Sequence, residues 1–362
     1  MNRPCPPLPA ADLEHVLTHT APLWRDLAGM HFFITGGTGF YGKWILESIA
    51  AANDQLGAGV RATVLTRNAA RFGAECPHLT ARPEFDWLTG DAASFAFPAR
   101  HFDYVFHFAT ASAAEVGAGG SAAMMATLLG TERVLQLTRG SGVRRMLFSS
   151  SGAVYGRQPP ELSHVPEDYR AGPDLSDSAS AYGEMKRLCE VMCVSAGIEC
   201  VIARGFSFIG PHLPLTDKFA AGSFIRDALA GGPIRIRGDG RAVRSYLYGA
   251  DLAIWLITLL VRGAPLSPYN LGSDQSVSLS ELASLVADAT RGIAVEIAGR
   301  STWPVTDRYV PSVRKAREEL GLDNGIGLTD ALRRTLDWAG PFQPDIAFAP
   351  VSIPVCRADL AN

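Results

Sequence analysis

Tyr182 and Lys186 stand four residues apart in Tyr-Gly-Glu-Met-Lys, a spacing that puts a phenol and an ammonium on one face if the segment is helical. A cation held beside a phenol lowers its pKa from about 10, and the tyrosine then becomes a general base near neutral pH. Alone, the spacing occurs on many surface helices. Here it follows Ser149-Ser150-Ser151-Gly152-Ala153-Val154-Tyr155-Gly156, which closes the apolar run VRRMLFSSS (143–151) and brings the Ser151 hydroxyl in as a third proton-handling group. Ser151, Tyr182 and Lys186 together suit removal of a proton from an alcohol, the first half of an oxidation.

An oxidation needs a hydride acceptor, and the chain has a place for one. Directly after the run HFFIT (31–35) comes Thr35-Gly36-Gly37-Thr38-Gly39-Phe40-Tyr41-Gly42, followed by an amphipathic stretch with Trp44, Ile45, Leu46 and Ile49. Strand, glycine turn and helix are the context of a dinucleotide site. Gly36 permits the tight turn, Gly39 admits the pyrophosphate, Gly42 lets helix and strand pack closely, and the helix N-terminus offers free N–H groups. Thr38, Phe40 and Tyr41 lie in the same turn and are assigned to the cofactor with it, as is Lys186 through the nicotinamide ribose. An acid at the end of the second strand would favour NAD; this chain has Thr66-Arg67-Asn68 there, so the cofactor is read as NAD(P), with Arg67 tilting the choice toward NADP(H). Asp91, after Gly90, either meets the adenine amine or is an exposed loop aspartate.

The elements that must position these groups alternate in type. Strand-like runs fall at 31–35, 61–66, 85–90, 103–109, 143–151 and 199–204, with helices expected near 41–53, 120–139 and 180–196. That order predicts an α/β chain with a Rossmann-type doubly wound parallel sheet over 28–205. Beyond Gly205, prolines and glycines break the rhythm, which predicts a smaller C-terminal α/β substrate domain over 206–340, with a segment near 240–265 returning to the first. Residues 1–27 read as a helical extension (Leu13, Val16, Leu17, Trp24, Leu27), and 341–362 as a tail without an assigned role. Ser278-Leu-Ser-Glu281 has capping-box spacing and Thr329 is expected to open a late helix.

Composition excludes several classes. The 362 residues carry a net charge of -3, which gives no field for nucleic acid. The longest apolar run, 252–261, is about half of a membrane span and reads as a buried helix. The first thirty residues lack a basic start and an apolar signal core, so a soluble cytoplasmic protein is expected. Six cysteines show neither metal-ligand spacing nor a disulfide framework, and Cys189 with Cys193 reads as a buried helix face.

Taken together, TGGTGFYG, FHFAT, LLGTERVL, SSSGAVYG, YGEMK, ARGFSFIGP, IRGDGRAVRSYLYGADLA, YNLGS and RYVPSVRKAREELG make the chain, from about 30 to 340, resemble the extended short-chain dehydrogenase/reductase superfamily in its nucleotide-sugar epimerase/dehydratase branch. The resemblance implies that Ser151, Tyr182 and Lys186 carry the chemistry and that Ala109 of FHFAT lines the cofactor. It further implies a nucleotide-diphosphate sugar held by Ser207, Arg244 and Arg308, and a homodimer formed through a helical bundle; each arginine has a bland alternative as a solvated surface residue. Thr127 and Ser207 stand where many relatives have asparagine. Dehydratases of the branch carry Asp-Glu, and decarboxylating members a glutamate before VYG, where this chain has Gly152 and Ala153. The expectation is therefore an epimerase acting by transient oxidation at C4, with a ketosugar reductase and then a 4,6-dehydratase as alternatives; Glu184, Glu161 or His164 are the available substitutes for the missing acid. A dinucleotide-binding regulatory module is the reading from outside enzymology.

Overall fold

The β-branched and apolar runs in the middle of the sheet become strands buried on both faces, as 31–35 is, while 85–89 at the edge is partly exposed; the glycine- and serine-rich ends become the turns between them. A computed structural model describes residues 4–290, 292–300 and 306–340. The strands are β1 (His31–Thr35), β2 (Arg61–Thr66), β3 (Phe85–Thr89), β4 (Tyr104–His107), β5 (Arg145–Ser151), β6 (Cys200–Gly205), β7 (Phe208–Ile209), β8 (Ile234–Ile236), β9 (Val243–Ser245), β10 (Leu247–Tyr248), β11 (Pro268–Leu271), β12 (Ser276–Ser278), β13 (Val295–Ile297) and β14 (Arg308–Tyr309). Seven of them form one parallel sheet in the order β11-β6-β5-β4-β1-β2-β3. The order reverses between β1 and β4, and this is where open α/β sheets bind their ligands.

The helices are α1 (Ala10–Asp26), α2 (Phe40–Leu56), α3 (Ala69–Glu75), α4 (Pro77–Thr80), α5 (Ala113–Gly140), α6 (Ala181–Ser195), α7 (Ala220–Leu229), α8 (Gly249–Arg262), α9 (Leu279–Ala289), α10 (Arg314–Leu320) and α11 (Leu328–Ala339). Alternate residues of a strand face opposite ways, so Phe32 and Ile34 join a core with Trp44, Ile49 and Trp255, while Phe33 joins a second core with Val134, Cys189 and Cys193. α1, α2 and α8 cover one face and α5 with α6 the other. The apolar run 252–261 is α8, buried along nearly its whole length, and among the described residues no helix is long and apolar enough to cross a membrane. Beyond β6 the chain builds the small sheets β10-β7, β12-β9-β14 and β13-β8, between which α8 and β11 return to the large sheet.

Several local expectations need correction. The 120–139 helix starts earlier, at Ala113, because Ser112 and Glu115 form a capping box; the left-handed break at Gly120 (φ +52°) hid the first turns. The last helix is capped by Gly327 and begins at Leu328, not Thr329, whereas the Ser278–Glu281 capping box forms as its spacing predicts. The third and fourth strands end at Thr89 and His107, before the glycine and the FAT turn. Cysteine spacing also misled: Cys5 and Cys76, 71 residues apart, form a disulfide with Cα atoms 5.6 Å apart. The pairing arises from tertiary packing, with the Cys5 N–H donating to the Glu75 carbonyl at 2.7 Å. Cys356 and the tail 341–362 lie outside the described residues.

The N-terminal helix is anchored by charge as well as by Val16, Trp24 and Leu27. Asp12 is fully buried, accepting from the Tyr248 hydroxyl at 2.6 Å and pairing with Arg334 at 2.5 Å. Removing Asp12 leaves the buried Tyr248 hydroxyl without its acceptor, while Arg334 keeps Asp330 at 2.7 Å. Asp12→Ala is expected to destabilise the fold by about 1 to 3 kcal/mol, measured by urea unfolding; no change would show that the Tyr248 hydroxyl finds another acceptor.

Candidate active site

The glycine turn joins β1 to α2. Gly36 has φ +68°, and a Cβ there would stand 2.8 Å from both the Ala109 nitrogen and the Phe108 carbonyl carbon, so only glycine lets the β1 and β4 turns meet. A Cβ on Gly42 would fall inside the backbone of Gly37. Gly39 caps α2 with extended backbone and no side-chain capping bond, which leaves the N–H groups of the first turn aimed outward. Beneath the turn, Thr35 Oγ1 accepts from the Ala109 N–H at 3.1 Å and bonds His107 Nδ1 at 2.7 Å, and His107 Nε2 reaches Thr131 at 3.2 Å. Burial pushes the His107 pKa down to about 3, so this imidazole is a neutral strut.

From the turn a groove of about 890 Å³ runs between the ends of β1, β2, β3 and β4, lined by Gly36, Thr38, Gly39, Arg67, Asp91 and Ala109 among others. Phe40 and Tyr41 are absent from that lining and face the other way: Tyr41 packs edge-on against Phe108 and Phe208, its ring centroid 5.6 and 5.1 Å from theirs. Arg67 is exposed at the rim. Asp91 is also exposed, and its carboxylate accepts the Ala93 N–H at 2.9 Å in a local turn. Thr127 closes the wall, accepting the Ala111 N–H at 3.1 Å. The shape and the uncapped helix end fit a dinucleotide.

At the end of β5, Ser151, Tyr182 and Lys186 come together. Gly183 permits it, since a Cβ there would strike the Ala153 carbonyl, and so α6 lies close against the turn that carries Ser151. Lys186, only 2% exposed, donates to Thr110 Oγ1 at 2.6 Å and to the Ser149 carbonyl at 2.7 Å, and its Nζ lies 5.8 Å from the Tyr182 ring centre. Burial raises the Tyr182 pKa, and hydrogen bonding with Ser151 pulls it the other way. Burial pushes Lys186 down to about 8 from 10.5.

That depression has a measurable sign. The unfolded chain holds the Lys186 proton up to about pH 10.5 while the folded chain releases it near 8, so its contribution to stability is full above 10.5 and is lost as pH falls through about 8. The stability of the wild type relative to Lys186→Met is expected to rise by up to ~3 kcal/mol between about pH 7 and pH 10, as read from urea unfolding at each pH. A flat difference would contradict burial as the cause.

Three further residues meet this trio without having been singled out in the sequence. Tyr309 brings its hydroxyl to 3.4 Å from Ser151 Oγ, on a strand of two residues that no periodicity marks. Phe206 stacks on Tyr309 with ring centres 4.5 Å apart and covers Gly152, where a Cβ would be 2.6 Å from Phe206 Cζ. Thr110 follows FHFA and holds Lys186. Of the residues expected to meet a sugar nucleotide, Arg244 pairs with Tyr309 in the β9–β14 register and therefore shares its face; its guanidinium bonds Asp307 at 2.6 Å. Arg308 is one residue along the strand and turns to the opposite face. Ser207 precedes β7, its carbonyl accepting from the Leu247 N–H at 3.0 Å. The substitute acids are otherwise engaged or distant in kind: Glu184 faces Arg187 at 4.0 Å, His164 bonds the Asp274 carbonyl at 2.9 Å, and Glu161 is exposed.

The profile of the NAD dependent epimerase/dehydratase family matches residues 32–272, from the first strand of the sheet to the last. The chain belongs to this family. UDP-glucuronic acid decarboxylase 1 of Arabidopsis thaliana is 27% identical over 323 residues, covering 88% of this chain and 71% of that protein. Among solved structures, the dTDP-glucose 4,6-dehydratase DesIV of Streptomyces venezuelae, with NAD bound, matches with a TM-score of 0.73 and 25% identity over 86% of this chain and 97% of its own. The UDP-glucose 4-epimerase of Thermotoga maritima, solved with UDP-glucose, has a TM-score of 0.71 at 21% identity, covering 85% of this chain and 98% of its own; at that identity the likeness is one of fold. Family members are enzymes, and the Rossmann-type sheet read from the sequence is the family's fold.

Proposed function

We propose that this epimerase/dehydratase family member is a nucleotide-sugar epimerase that inverts one sugar carbon, C4, by oxidising it and reducing it again. The observation that carries the reading is the turn after Ser151. Gly152 is pressed under Phe206 and Ala153 ends in a methyl, so the turn offers no carboxylate to move a proton at a neighbouring carbon. Elimination of water needs such a carrier; oxidation and reduction at one carbon do not.

Tyr182 takes the proton of the sugar hydroxyl, assisted by Ser151, and returns a proton to the same oxygen after the keto sugar has presented its other face. Lys186, fixed by Thr110 and Ser149, holds positive charge below the phenol. A bound nicotinamide dinucleotide supplies the hydride acceptor and donor, held by the N–H groups at Gly39 and by Thr38 and Ala109, with Asp91 at its adenine end. Arg67 supports NADP(H) over NAD(H). Arg244 is assigned to the sugar-nucleotide diphosphate, exchanging Asp307 for phosphate, with Ser207 beside it; Arg308, on the opposite face, is the weaker candidate. The 28–205 and 206–340 division into cofactor and substrate parts belongs to the same proposal. So does a homodimer joined through α5 and α6, which expose Met125, Leu129, Leu188, Val191 and Val194 at helical spacing.

The similarity to UDP-glucuronic acid decarboxylases favours a second reading, oxidation followed by loss of carbon dioxide from a sugar acid. One experiment separates the readings. The purified protein is incubated with UDP-, dTDP-, GDP- and CDP-sugars, including a glucuronate, with NAD, NADPH or neither added, and products are analysed by mass and NMR. An isobaric product supports epimerisation. Loss of carbon dioxide or of water overturns it, and an NADPH-dependent gain of two hydrogens selects a ketosugar reductase.

A further inference from the structure

Tyr309 brings its hydroxyl between a backbone carbonyl and the Ser151 hydroxyl. Its ring is already held by Phe206, and its place on β14 is set by pairing with Arg244. The hydroxyl lies 3.4 Å from Ser151 Oγ and 3.3 Å from the Gly205 carbonyl oxygen. Ser151 Oγ also accepts the Ala153 N–H at 3.2 Å and faces Tyr182. Two phenols therefore share one serine.

Counting protons limits what this group can do. Tyr309 has one proton and two acceptors within reach. If it donates to Gly205, it accepts from Ser151, and the serine proton is withheld from Tyr182. If it donates to Ser151, the serine proton is free to point at Tyr182. The charge on Tyr182 selects between these arrangements: a phenolate draws the serine proton, and Tyr309 then donates to Ser151. The result is a chain of hydroxyls running Tyr309 to Ser151 to Tyr182, in which each bond strengthens the next. Beyond the proton that Tyr182 has given up, no covalent bond changes: Tyr309 releases the Gly205 carbonyl, and the two hydrogen bonds at Ser151 point toward Tyr182.

We propose that Tyr309 is a positioning residue for the proton machinery, acting through Ser151 to stabilise the ionised form of Tyr182. The proposal rests on the reading of Tyr182 as the base. Other groups around the pair come from separate elements: Lys186 from the helix of Tyr182 itself, Tyr41 from α2 and Arg244 from β9. Burial keeps Tyr309 protonated, with its pKa held above the ordinary phenol value, so it stays a donor while Tyr182 ionises.

The test uses the full chain with saturating oxidised dinucleotide and follows ring-carbon NMR signals of labelled tyrosine against pH, the Tyr182 signal being assigned with Tyr182→Phe. Tyr309→Phe retains the stacked ring. It is expected to raise the Tyr182 pKa by about half a unit, and in a Ser151→Ala background to shift it no further. An unchanged Tyr182 pKa in Tyr309→Phe, with the thermal transition intact, overturns the proposal; so does an equal shift in the Ser151→Ala background, which would mean that the effect bypasses the serine. Failure of Tyr182 to ionise in the parent protein overturns the base assignment and this proposal together. Failure of the sugar panel, with the shift present, sinks only the epimerase reading.

Discussion

Tyr182→Phe is expected to lower turnover of the accepted sugar nucleotide by about two to four orders of magnitude, the usual worth of a positioned acid or base, while dinucleotide affinity stays within about threefold. The asymmetry follows from what holds the site together. Lys186 is fixed by Thr110 and the Ser149 carbonyl, not by the phenol, so removing one oxygen from Tyr182 leaves the ammonium in place. α6 keeps its seat because Gly183 and Ala153 remain in contact. Initial rates together with fluorescence titration of the dinucleotide read both quantities. A variant that keeps more than about a tenth of the activity would mean that another group carries the proton.

Gly42→Val should be the most damaging single change in the cofactor turn. A Cβ at Gly42 falls on the backbone of Gly37, and neither side can give way: Gly37 is itself confined by Val64, whose methyl lies 2.5 Å from where a Gly37 Cβ would be. The helix must lift from the strand, at a cost of ~3 kcal/mol or more, and the N–H groups at its end move out of line with the pyrophosphate. The thermal transition should fall together with dinucleotide affinity, the latter by more than tenfold. A folded variant with unchanged affinity would show that the turn adjusts locally.

Much of this was readable from sequence because the residues concerned obey local rules. The turn at 36–42, the YxxxK face and the serine-rich strand end each occupy a short continuous stretch, and glycine is demanded wherever two backbones meet. Tyr309 could not be read in the same way. It lies on a strand of two residues whose existence depends on pairing with β9, more than sixty positions earlier. The Cys5–Cys76 pair and the buried Asp12 fail for a related reason, since each partner is chosen by how α1 lands on the rest of the fold. Tyr41 lies within the glycine motif, and its ring packs against Phe108 and Phe208, contacts that the motif does not show.

The return of α8 and β11 to the large sheet has a mechanical consequence. The chain crosses between the large sheet and the small ones three times, after Gly205, at the join of Tyr248 and Gly249, and after Leu271. A region tethered at a single point can swing like a door. One tethered at three points, two of them the ends of the neighbouring strands β6 and β11, resists rotation, so opening and shutting around a ligand should be shallow. The distance between Tyr309 on one side and Ser151 on the other would be kept through each turnover.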